Sequence, residues 1–220
     1  MARSSYLPLT ASLALALALA GCGGTQSGAA RGTTASSGGC EVVPKPKPKA
    51  NGGAKKPTGK LAAGKTYRLV FDTTCGKFTV TLDEREAPNT AASLVSLSKS
   101  GFFDDTIFHR IVPGFVIQGG DPTGTGTGGP GYSTVDRPPA KAAYTRGVVA
   151  MAKTGAEPPG TAGSQFFVVT GADAGLPPDY AIVGKVTTGL ETVTRIEKLG
   201  GPDEKPQRPV VVRRVTVETA

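Results

Sequence analysis

Phe108-His109-Arg110-Ile111-Val112-Pro113-Gly114-Phe115-Val116-Ile117-Gln118-Gly119-Gly120-Asp121 is the stretch on which the reading of this chain turns. It holds the only histidine, His109, beside Arg110, inside an apolar frame of Phe108, Ile111, Val112, Phe115, Val116 and Ile117. It reads as two strands, over 107–111 and 115–119. The flanking residues offer no nucleophile, no carboxylate pair and no metal cluster. The reaction that suits such a site is one that needs none of these.

Outward from it, short alternating runs predict more strands at 67–72, 77–83, 146–152, 165–170, 181–187 and 209–218, the first two joined by a turn at Cys75-Gly76. Pro88 suits the first turn of a helix that runs through Ala91, Leu94, Val95 and Leu97 and stops at Gly101. A short helix fits 190–199. Two helices among about eight strands make a mainly β chain of the barrel kind, not a βαβ one. Asp121–Gly131 is loop by composition. Its glycines are not a phosphate cradle, because neither a Gly-Lys-Ser/Thr nor a helix pattern follows them.

The formal net charge is +8, and it is unevenly placed. Residues 23–65 carry eight basic residues and one acid, whereas 66–220 carry 16 of each sign. The folded part is therefore neutral, which argues against nucleic acid as its ligand. The excess of positive charge belongs to an N-terminal tail.

That tail begins as an address. Arg3 precedes an uncharged run from Ser4 to Leu19, too short and too soon followed by Gly and Ser to span a membrane well. It reads as a secretory signal. Its end, Leu19-Ala20-Gly21-Cys22, resembles a bacterial lipobox, in which residues 1–21 are removed and Cys22 is lipidated; the alternative is an ordinary signal peptide with a chance cysteine. A lipidated Cys22 implies a membrane as partner and a place in the cell envelope, on the extracytoplasmic side. Residues 22–65 are expected to be a linker. Residues 23–39 are Gly/Ser-rich and would span roughly 23 Å as a flexible coil. Pro44-Lys45-Pro46-Lys47-Pro48-Lys49 should be extended polyproline II. It reads as a solvated, self-repelling spacer or as a segment attracted to anionic lipid or envelope polymer. With Cys22 acylated, Cys40 and Cys75 remain as an even pair in an oxidising compartment, and a disulfide between them is expected. It would pin the Lys/Pro segment against the domain.

The opening stretch resembles the signature of cyclophilins, the peptidyl-prolyl cis–trans isomerases. Gly163-Ser164-Gln165-Phe166-Phe167, Gly126–Gly129, Val149-Ala150-Met151-Ala152 and Tyr180-Ala181-Ile182-Val183-Gly184-Lys185-Val186 match that family in order and spacing. The resemblance covers roughly 66–219, so the domain expected is 66–220. It implies a closed eight-stranded antiparallel barrel capped by two helices, with the site on its outer face. It also implies proline-containing polypeptides as substrates, with no cofactor and no metal. A monomer satisfies everything the sequence shows.

The resemblance assigns roles by position. Arg110 would donate to the proline nitrogen in the twisted state, and Gln118 would hold Arg110 and help bind the substrate carbonyl. Phe115, Phe167 and Leu176, with Val116 beside them, would form the proline pocket. Gln165 belongs to the substrate-binding set. Ala152 and Lys153 would pair with substrate backbone, Tyr180 would close one wall, and His109 would support rather than act as a base. This chain departs from the family pattern in Val116 for a common methionine, Lys153 for asparagine, a longer Thr154–Gly160 segment, Tyr180 for histidine, and Gly175 where drug-sensitive members carry tryptophan. The last change implies weak cyclosporin binding. Two functions fit: an enzyme that speeds folding of exported chains, or a binding module for Pro-containing envelope partners.

Overall fold

The computed structural model describes residues 39–220. The expected signal peptide, Cys22 and the linker as far as Gly38 lie outside the described residues.

The first hairpin follows directly from alternation. In β1 (Tyr67–Thr73) every second residue is buried, and in β2 (Gly76–Leu82) Phe78, Val80 and Leu82 are buried. Thr73 pairs with Gly76 at the turn, where the Thr73 hydroxyl accepts from the Cys75 amide. α1 (Pro88–Lys99) begins with proline at its first turn and has no side-chain cap of its own. Its free amides are met from a distance. The buried carboxylate of Asp136 accepts from the Thr90 amide (2.6 Å), the Asn89 amide and the Thr90 hydroxyl. An acid at this end also complements the helix dipole.

β3 (Thr106–Ile107) and β4 (Arg110–Val112) follow, where one strand over 107–111 was expected. The break has a cause: the segment changes partners at Phe108 and His109. The Phe108 amide donates to Val210 and the His109 amide to Gln118, on opposite sides. Next come β5 (Val116–Gly119), β6 (Thr134–Val135), β7 (Val148–Met151), β8 (Thr161–Ala162), β9 (Phe166–Val169) and β10 (Ile182–Thr188). α2 (Leu190–Glu197) and β11 (Val211–Thr219) complete the chain. Gly189, at φ 78, opens α2 where a Cβ would overlap the Lys77 carbonyl, so glycine is required.

Nine strands form one sheet in the order β3-β11-β1-β2-β10-β7-β9-β5-β4, every pair antiparallel. β6 and β8 pair separately. The expected mainly β fold with two helices is present, its main sheet made of nine short strands where eight were expected. No ladder joins β3 to β4 among the described residues; the sheet curls, and residues 106–112 attach its two ends through the chain itself. The inner face carries the main core, with Phe71 stacked on Phe78 (4.7 Å) and Phe108 and Phe166 edge to face. Burying each such side chain contributes about 1.5–3 kcal/mol. No helix among the described residues is long and apolar enough to cross a membrane.

The second half of the expected linker is not a free spacer. Cys40 is disulfide-bonded to Cys75, the Glu41 amide donates to Thr74, and Glu41 pairs with Arg213. Val43, Pro46 and Lys49 are half-buried while the residues between them are exposed, the period of three of a polyproline II helix with one face down. Lys49 Nζ donates to the carbonyls of Gly101, Phe102 and Asp104, where α1 ends. The Gly52 and Ala54 amides donate to Gly129 and Pro130. Residues 40–57 form a strap on the domain. Its lysines do not repel it from a neutral fold that offers three carbonyls in the turn after α1.

Candidate active site

The decisive residues meet through sheet register. Arg110 in β4 faces Gln118 in β5, Gln118 faces Phe167 in β9, and Phe167 faces Ala150 in β7. Directly paired residues share a face, so these four form one row across the outer side of the curled sheet. The neighbouring row, Ile111, Ile117, Val168 and Val149, points the other way into the main core.

The outer row stands on a second apolar cluster, separate from the main core. Val116, Tyr144, Val148, Ala150, Phe167 and Val169 are buried in it, and Phe115, Ala152, Leu176 and Tyr180 pack on its rim. Phe115, Val116, Phe167, Leu176 and Tyr180, named from sequence as the proline pocket and its wall, therefore do come together. Tyr144 was missed. Its hydroxyl donates to the Tyr180 carbonyl (2.7 Å) and accepts from the Tyr180 amide (3.0 Å), which fixes the wall. Burial pushes the Tyr144 phenol above its ordinary value, against the bond to Tyr180, with Asp179 adding to the rise.

Arg110 is not held by Gln118. Its Nε donates to Glu204 (2.7 Å), and its guanidinium lies 5.8 Å from the centre of the Phe115 ring. The Gln118 amide donates instead to Gln165 Oε1 (3.0 Å), and Gln165 Nε2 donates to the carbonyls of Gly126 and Gly128 (2.9 Å each). The reason is chemical: a carboxylate is a stronger acceptor for guanidinium than a carboxamide, and Glu204 is within reach. For Ala152 the structure narrows the backbone pairing to one group, its carbonyl. Its amide donates to the Gln165 carbonyl (2.9 Å) and is not available to a substrate. Lys153 turns back, with Nζ on the carbonyls of Thr154 and Glu157 and 5.5 Å from the centre of the Tyr180 ring.

The glycine loop beside the row is tied from two sides. The buried Asp121 carboxylate accepts from the amides of Thr123, Thr125 and Gly126 and from the Thr123 hydroxyl. Burial alone would raise this carboxyl, but donors from Thr123, Gly126 and Gly128 outweigh it and hold the group below its ordinary value. Gly128 packs so closely on Asp121 that a Cβ would overlap the carboxylate. From the other side, the strap's Asn51 accepts from the Gly129 amide (2.9 Å). Asn51, Gln118, Lys153 and Gln165 all line a cavity of about 600 Å³ next to the row. His109 sits beneath this loop with both ring nitrogens buried and unpartnered. Burial pushes its imidazole below the ordinary value and Arg110 adds to the drop, against Asp121. His109 packs beneath the loop and does not line that cavity.

A cationic donor above an apolar floor, on the outside of a curled antiparallel sheet with two helices, defines a class. A family model described as cyclophilin type peptidyl-prolyl cis-trans isomerase/CLD matches residues 68–217, and the chain belongs to that family. The chain is 37% identical over 156 residues to peptidyl-prolyl cis-trans isomerase-like 1 of Aspergillus oryzae, covering 68% of this chain and 95% of that protein. It is 41% identical over 163 residues to peptidyl-prolyl cis-trans isomerase-like 2 of Cryptococcus neoformans, covering 70% of this chain but only 27% of that protein. The chain thus spans about a quarter of the first curated relatives it matches. A crystal structure of a cyclophilin type isomerase from Cryptosporidium parvum superposes with a TM-score of 0.64 at 33% identity, covering 70% of this chain and 98% of that one. A second structure of it was determined in the presence of the dipeptide Ala-Pro. These relatives are eukaryotic and supply no support for a lipoprotein form.

Proposed function

We propose that this protein is a peptidyl-prolyl cis–trans isomerase acting on proline-containing polypeptides. The observation that carries the reading is the row Arg110–Gln118–Phe167 above its own apolar cluster. The obstacle to X–Pro rotation is amide resonance, a barrier of roughly 18–20 kcal/mol. In the twisted state resonance is lost and the proline nitrogen becomes an acceptor. The Phe115–Phe167–Leu176 floor takes the proline ring, and Arg110 donates to the nitrogen. With Nε engaged by Glu204, its terminal nitrogens serve the substrate. A bond made only in the twisted state lowers the barrier, whereas one made equally in the ground state only tightens binding. A preorganised donor of this kind contributes about 2.7–4 kcal/mol. Arginine stays charged at any working pH, so no proton has to move. The related structure with Ala-Pro supports a proline-containing ligand.

The place of action follows from the N-terminal sequence. Cys22 would carry lipid and hold the domain outside the cytoplasm, where exported chains meet slow X–Pro steps. The exposed Lys45 and Lys47 on the strap would favour anionic envelope polymers.

The test is isomerisation of a short X–Pro peptide by the full chain and by Arg110→Ala. A loss of about 100-fold or more in the variant, with circular dichroism unchanged, is expected. Equal, low activity in both, with the peptide still bound, would favour the binding-module reading. Incorporation of labelled palmitate, abolished by Cys22→Ser, tests the anchor.

A further inference from the structure

We propose that Glu204 is the positioning residue for Arg110, a role that rests on the isomerase reading above. Glu204 is one of two non-glycine residues with positive φ among those described, at φ 62. L residues enter that region at a cost, and such strain gathers where surroundings over-determine the backbone. The surroundings do so at this position. The Ile111 amide donates to the Glu204 carbonyl (2.7 Å), the Glu204 amide donates to Gly201 (3.2 Å), and the Gly201 amide donates to Lys205 (2.8 Å). Gly200 bridges to Pro206 and lies under the Pro113 ring. The loop is therefore fastened to β4 at the residue after Arg110, and its left-handed turn sends the Glu204 carboxylate back onto Arg110.

Three features point to orientation rather than folding. First, the bond is to Nε, so it fixes the guanidinium without using the terminal nitrogens. Second, Phe115 lies on the guanidinium, which is thus held both by an acid and by a ring. Third, the pair is open to solvent, with side-chain exposures of 33% for Arg110 and 53% for Glu204. A pair so exposed contributes little to stability. The loop's other charges do not compete, since Lys205 faces Asp203 at 3.7 Å. Arginine has many rotamers, and a donor that must meet a nitrogen only in the twisted state gains from losing them before substrate arrives.

The experiment compares the full chain with Glu204→Gly, Glu204→Ala, Glu204→Gln and Arg110→Ala on one X–Pro peptide, with kcat and KM resolved and thermal unfolding followed. Glycine accepts φ 62 freely, so Glu204→Gly folds at least as well as the wild type. The expected result is a fall in kcat of about tenfold in Glu204→Gly and Glu204→Ala, with KM within about twofold, the scale set by supporting partners of functional side chains. Glu204→Gln, which keeps an acceptor oxygen, recovers most of that loss. Wild-type kcat in Glu204→Gly, with Arg110→Ala inactive, would overturn this role and leave the isomerase reading standing. So would a loss seen in Glu204→Ala but not in Glu204→Gly, which would trace to backbone strain. Failure of Glu204→Gln to exceed Glu204→Gly would overturn the hydrogen bond as cause. An inactive wild type would overturn both readings together.

Discussion

Replacing Cys40 and Cys75 together with alanine should lower the unfolding temperature far more than the activity. The bond spans 35 residues of sequence. Closing a loop of that length removes about 3.8 kcal/mol of chain entropy from the unfolded state. For a folded unit of this size, each kcal/mol shifts the midpoint by about 2–4 °C, so the expected fall is about 8–15 °C. The native strap keeps its other ties: Lys49 on the end of α1, Asn51 and the Gly52 amide on Gly129. Cys75 is buried, so alanine is a better replacement than serine, whose hydroxyl would need a partner. The assay is calorimetry of the oxidised wild type, the reduced wild type and the double variant, beside X–Pro isomerisation well below all three midpoints. Activity within about twofold of wild type is expected, because Arg110, Gln118 and Phe167 make no contact with the bond. A midpoint that moves by less than about 3 °C would refute the loop-entropy argument. Loss of activity in the folded double variant would instead show that the strap's anchor reaches the site.

Acid should weaken the fold in two windows. His109 is held below its ordinary value, near 6.5, so the unfolded chain takes that proton first; the stability present above that pH is lost as pH falls through the folded value. Asp121 is likewise held low, so its contribution is complete above about pH 4 and is lost as pH falls through the lower folded value. Urea unfolding across this range should show the upper window vanish in His109→Gln and the lower one in Asp121→Asn, while kcat/KM stays flat from about pH 6.5 to 9 because the proposed rotation transfers no proton. Lys49→Met should cost about 1–3 kcal/mol by removing the ammonium shared by the Gly101, Phe102 and Asp104 carbonyls in the turn after α1, and should raise hydrogen exchange at residues 41–57. Unchanged exchange there would mean that the strap is held without Lys49.

The alternation of Leu69, Phe71, Phe78 and Val80 determined the first hairpin, and Pro88 and Gly101 determined the bounds of α1, because side-chain period and backbone preference act between near neighbours. The floor residues Phe115, Val116, Phe167 and Tyr180 were legible as one set for a different reason, the resemblance of the blocks that carry them to a family. Strand count was less legible. Residues 107–111 look like one strand from within, and only their two different partners divide them. The strap shows the same limit from the other side: its Lys and Pro content marks an extended segment, but not that Lys49 will find three carbonyls more than 50 residues away.

The chemistry of the site was set by sequence in kind and by tertiary structure in arrangement. Arg110 and Gln118 stand eight positions apart, and hairpin register alone brings them opposite each other. What holds each of them lies elsewhere. Glu204 is 94 residues from Arg110, and Gln165 is 47 from Gln118. Nothing local marks an acid in a Gly/Pro loop as the partner of a distant arginine, and a buried tyrosine such as Tyr144 signals only that its hydroxyl needs some partner. A residue type limits which bonds a side chain can make. Which of them it does make depends on which strands and loops end up adjacent, and that is a property of the whole fold.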